Sequence, residues 1–79
     1  MSIAATKARS SFPELVRRAK YGKKISVVNM HYKPYCAIVP IEMLRILAGE
    51  PHSEEVCETF RGKAQEALTG LDLKDYPVL

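Results

Sequence analysis

Ile25-Ser26-Val27-Val28-Asn29-Met30-His31-Tyr32-Lys33-Pro34-Tyr35-Cys36-Ala37-Ile38-Val39-Pro40 is the stretch on which the fold turns. Ile25 to Met30 is rich in β-branched residues, which suit a pleated, half-buried surface. Tyr35 to Val39 repeats that character after only His31-Tyr32-Lys33-Pro34. So short a gap joins two strands only as an antiparallel hairpin. Pro40 cannot donate to a ladder, but it opens a helix comfortably.

Towards the N-terminus, Ser2 to Ala5 reads as a short strand and Thr6 as a helix N-cap, its hydroxyl accepting a first-turn N–H. Pro13 is awkward inside a continuous helix, so a kink or restart is predicted at Phe12-Pro13. Phe12, Leu15, Val16 and Ala19 then recur at helical spacing as one apolar stripe. Gly22 is predicted to end this helix in the left-handed conformation. Towards the C-terminus, Ile41, Leu44, Leu47 and Ala48 mark a helical face that Gly49 terminates.

Glu50-Pro51-His52-Ser53 reads as a linker. Ser53 can cap a helix whose first turn holds Glu54 and Glu55, favourable against the helix dipole. Val56, Phe60, Ala64, Ala67, Leu68 and Leu71 continue it as an apolar stripe. Gly62 weakens that helix by about 1 kcal/mol relative to Ala, and Gly70 ends it. The tail adds Leu73, Tyr76, Val78 and Leu79. The reading is α+β: a domain over 1–49 with the order strand, helix, hairpin, helix, and a helical segment over 50–79.

Charge changes sign across that linker. Residues 1–49 carry nine Lys and Arg against two Glu, and residues 50–79 carry three against seven acids. A basic half suits a polyanion and an acidic half suits a basic partner. Apolar residues make up 47% of the 79, too many for general disorder. A domain this small buries a modest core, so a second copy is the expected cover for the surplus.

The apolar runs are too short to span a bilayer. Met1 to Arg9 lacks a signal peptide's apolar region, so a cytoplasmic protein without membrane contact is expected. Cys36 and Cys57 have neither CxxC nor His at zinc spacing, and read as two thiols, one of them in a strand core. His31 and His52 have no carboxylate and nucleophile arranged as a triad, and no glycine-rich phosphate loop or metal motif occurs. The expectation is a binding protein, not an enzyme, with no cofactor and no metal.

The run Ile3-Ala4-Ala5-Thr6-Lys7-Ala8-Arg9-Ser10-Ser11-Phe12-Pro13-Glu14-Leu15-Val16-Arg17-Arg18-Ala19, then Gly22, Ile25 to Val28, and Lys33 to Pro40, resembles the Phd/YefM antitoxin family. The likeness covers roughly residues 2–48. It rests on an Ala-Arg-x-x-Phe segment opening a helix, a Gly-ended turn, a hairpin and a Val-Pro exit. It implies a homodimer whose N-terminal domain binds operator DNA and represses its own operon. It also implies a C-terminal segment that wraps and neutralises a cognate protein toxin.

Carried over, the DNA contacts are Arg9 first, then Lys7 and Ser10, with His31 and Lys33 from the hairpin turn. The expected partner contacts are Glu54, Glu55, Val56, Glu58, Phe60, Ala64, Leu68, Leu71 and Tyr76. A RelE/ParE-like ribonuclease is the first expectation for the toxin, with Fic-type and PIN-domain toxins as alternatives. The chain departs from the family at Met30, where Arg is usual, and at Tyr32, where Gly is usual. The first removes a DNA contact, and the second predicts another turn type, because positive φ is costly with a β-carbon. A protein-binding adaptor of the same fold that has lost DNA binding is the alternative function.

The Val56–Leu71 stripe has two readings: an intramolecular helix packed on its own domain, or a helix laid into a partner's groove.

Overall fold

A computed structural model of the chain describes residues 2–71 and Leu73. The expected partner contact Tyr76 and the tail residues Val78 and Leu79 lie outside the described residues. The fold is α+β, in the order β1 (Ser2–Ala4), α1 (Ala5–Ser10), α2 (Phe12–Gly22), β2 (Ser26–Met30), β3 (Lys33–Ile38), α3 (Ile41–Leu47) and α4 (Glu54–Leu68).

The three strands form one sheet in the order β1-β2-β3. β1 pairs with β2 in parallel, Ile3 opposite Val28 and Ala4 opposite Asn29. Parallel neighbours need a crossover, and α1 and α2 supply it. β2 and β3 form the predicted antiparallel hairpin. Its turn is tighter than expected, only His31 and Tyr32, with φ of 52° and 64°. Two positive φ values are the mark of the hairpin turn whose twist matches its strands. Tyr32 therefore does not bring another turn type. The strand pairing on either side imposes the left-handed conformation on a residue that disfavours it.

Pro34 sits inside β3, opposite Asn29. The register slips there: Val28 faces Cys36 but Asn29 faces Pro34, so Tyr35 is the extra residue of a bulge. A proline without an N–H is tolerated on such an edge strand at such a bulge.

Two predicted helix ends move. The strand runs straight into α1, with Ala4 extended at the N-cap and no side-chain cap, so Thr6 lies inside the helix and caps nothing. The restart at Phe12-Pro13 is present, with Ser11 between the two helices and proline in the first turn of α2. Gly22 is the last helical residue of α2. Lys23 takes the left-handed step, at φ 52° and ψ 38°. The amides of Lys23 and Lys24 both donate to the Arg18 carbonyl, and this wrapped end places the left-handed residue one position later than predicted.

The core is small. Its buried apolar side chains among the described residues are Leu15, Ala8, Ala19, Val27 and Phe60, with Pro40 beside them. Only half of the α2 stripe is used: Leu15 is 1% exposed, whereas Phe12 and Val16 face outwards. The α3 face is largely uncovered. Ile41, Leu44 and Leu47 are 63%, 55% and 78% exposed, and no α3 residue is buried. Cys36, expected in a strand core, is exposed on the edge strand β3.

Candidate nucleic-acid and partner surfaces

The sheet register decides where the basic residues go. Ala4 pairs with Asn29, and one residue beyond each strand partner the chain leaves the sheet region: Ala5 begins α1, and Met30 leads into the hairpin turn. The start of α1 and the tip of the hairpin therefore emerge at the same end of the sheet. Lys7, Arg9 and Ser10 on α1, with His31 and Lys33 at the turn, are all exposed. Only the first residues of α1 are placed there by the register; Lys7 lies back along β1, where it lines a cleft with Ser2, Ile3 and Arg18.

Within α1, the Ser10 hydroxyl donates to the Lys7 carbonyl at 3.0 Å, which leaves its oxygen lone pairs as acceptors. Arg9 makes no ion pair with any carboxylate of the described residues. A guanidinium without an internal partner presents its whole donor fork outwards. Met30 is 44% exposed and Tyr32 fully so, an apolar tip on the otherwise basic end. Across the first two strands, the Asn29 amide donates to the Ser2 hydroxyl, holding β1 to β2 on the face they share.

α4 begins as the sequence predicts. The Ser53 hydroxyl accepts the Val56 amide at 3.2 Å, and Glu54 and Glu55 occupy the first turn. Glu54, Glu55 and Glu58 are exposed. The apolar stripe is divided: Phe60 is 8% exposed, while Val56 and Leu68 are 38% and 50% exposed. Ala64 and Leu71 are half-buried. Phe60 is thus inserted against its own chain and is not presented to solvent. Of the two readings of this helix, the structure holds the intramolecular one at Phe60 and leaves the rest of the stripe accessible.

A link that sequence inspection does not reveal joins α2 to α3. Lys23 Nζ lies 2.6 Å from Glu42 Oε1. That hydrogen bond, with one from the Glu42 backbone, holds the Glu42 carboxyl below its ordinary value. A cavity of about 350 Å³ opens beside the pair and is lined by Lys23, Glu42, His52, Val56 and Phe60. Glu42 Oε2 and His52 Nε2 are buried there without a hydrogen-bond partner. No local signal in the sequence pairs residues 23 and 42.

No group of three or more His, Cys, Asp or Glu side chains among the described residues is arranged to hold a metal. No helix among them is long and apolar enough to cross a membrane. Comparison of the chain with protein-family models, with curated proteins and with solved structures returns no match of any of the three kinds.

Proposed function

We propose that the chain is an antitoxin of Phd/YefM type. In this reading it is a homodimer that represses its own operon through the basic end of residues 1–49 and neutralises a protein toxin through residues 50–79. The observation that carries the reading is that Lys7, Arg9 and Ser10 on α1 and His31 and Lys33 at the turn are all exposed, on a helix start and a hairpin turn that leave the sheet at the same end. Cations from a helix start and a turn suit the phosphates of a duplex, and a two-fold dimer doubles them at a fixed spacing. The largely uncovered apolar face of α3 supports the dimer, because four of its seven residues are Ile or Leu and none is buried. The exposed carboxylates of α4 suit a basic toxin, with a RelE/ParE-like ribonuclease ahead of Fic-type and PIN-domain toxins.

A mobility-shift titration against the DNA upstream of the chain's own gene tests the repressor half. Wild type binds and Arg9→Ala binds markedly more weakly at moderate salt; equal binding by the two removes Arg9 from the interface. Co-purification with the product of the adjacent gene tests the toxin half, which fails if deleting residues 50–79 leaves the complex intact. The second reading, a protein-interaction adaptor without DNA binding, draws on Met30 and Tyr32. An exposed apolar tip suits a protein partner better than a phosphate backbone. It is preferred if no DNA is shifted while a protein partner is still retained.

A further inference from the structure

We propose that α4 is a releasable latch, docked on its own domain through Phe60, and that this docked state and partner binding exclude one another. The inference rests on the reading of residues 50–79 as the partner-binding segment. It turns the two readings of the α4 stripe into two states of one helix.

Two observations mark the docked helix as lightly packed. First, Phe60 is the one residue of this 15-residue helix that is buried. Second, the seam is loosely filled. Besides the 350 Å³ cavity at Phe60, one of about 540 Å³ lies between Arg18, Lys24, Ile25 and the α4 residues Lys63 and Ala67. Another of about 320 Å³ lies between Val27, Ala37 and Leu68. All three are clefts open to solvent, so the helix meets its domain along an incomplete seam.

The helix also carries what it needs to open as a unit. Ser53 caps it independently of the domain. The segment before it, Gly49 to Ser53, has neither helix nor strand, and Gly49 stands at φ 90°. Once released, Val56, Phe60, Ala64 and Leu68 form one continuous stripe along the helix, of the kind that enters an apolar groove. While the helix is docked, the central aromatic is missing from that stripe.

Residue-resolved hydrogen exchange on the full chain alone is the test. The amides of α4 are expected to exchange at least about tenfold faster than those of β2, through local opening. Phe60→Ala accelerates the α4 amides further and leaves those of β2 within about twofold. In a Cys36→Ser background, modification of the Cys57 thiol speeds up in parallel. Phe60→Leu, which keeps an apolar plug, falls between the two and carries the comparison if the alanine variant does not fold. A common exchange rate for α4 and β2, or equal acceleration of both, overturns the latch. No partner enters the measurement, so its failure leaves the antitoxin reading standing. Conversely, an α4 that opens while residues 50–79 prove dispensable for capturing the adjacent gene product sinks that reading alone.

Discussion

Lys23 and Glu42, 19 positions apart, are joined by a 2.6 Å hydrogen bond that fastens the left-handed end of α2 to the first turn of α3. The bond holds the Glu42 carboxyl below its ordinary value of 4.5. A group whose pKa is lowered by folding stabilises the fold when ionised. Its contribution is complete above the ordinary value and is lost as pH falls through the folded one. Melting temperatures taken between about pH 3 and pH 7 therefore decline on the acid side. Glu42→Gln flattens that decline; an unchanged acid limb in the variant shows that the bond has no part in it.

Tyr32 occupies φ 64° with its side chain fully exposed, so it carries backbone strain without packing in return. Relief of a left-handed β-carbon contact is worth about 1 kcal/mol. Tyr32→Gly should raise the denaturation midpoint accordingly. A variant less stable than wild type would assign the tyrosine a packing role that its exposure denies.

Leu15 and Leu47 separate core from cover. Leu15 is 1% exposed, and truncating it to alanine should cost about 2–5 kcal/mol. Leu47 is 78% exposed, so Leu47→Asp should leave the fold intact. If α3 is the dimer face, Leu47→Asp paired with Ile41→Asp shifts sedimentation towards the monomer. A species of unchanged mass would place the interface elsewhere.

Ser53→Ala removes the side-chain acceptor of the Val56 amide, a loss of about 1 kcal/mol for a helix cap. The effect should be confined to α4: its amides lose exchange protection while those of the sheet keep theirs. Equal loss in both regions would make α4 part of a single cooperative core.

On the DNA side, Lys33→Ala should lower affinity with little change in sequence preference, because a lysine at a turn meets phosphate more readily than a base edge. The slope of log affinity against log salt should fall by about one. An unchanged slope would exclude a phosphate contact at this position.

The hairpin, the restart at Phe12-Pro13 and the Ser53 cap of α4 were legible in the sequence, because each is set by neighbours within a few residues. β-branched runs, a proline's missing donor and a hydroxyl within reach of a free amide act locally. The same local reasoning misplaced Thr6 as a cap and Gly22 as the left-handed residue. At those two places a strand feeding directly into a helix, and a wrapped helix end fastened by a distant carboxylate, overrode the residue's own preference.

Which apolar stripe is covered was not legible, since periodicity names a face but not what lies against it. Leu15 and Phe12 belong to one stripe, yet only Leu15 found a neighbour. The α3 stripe reads as well as any other and buries none of its residues. Only the tertiary structure brought the start of α1 and the hairpin turn to the same end of the sheet, because a parallel register between β1 and β2 is a long-range pairing that no local pattern encodes. Only the tertiary structure turned Phe60 inwards, beside a cleft it shares with Lys23, Glu42 and His52, residues that meet only once the chain has folded.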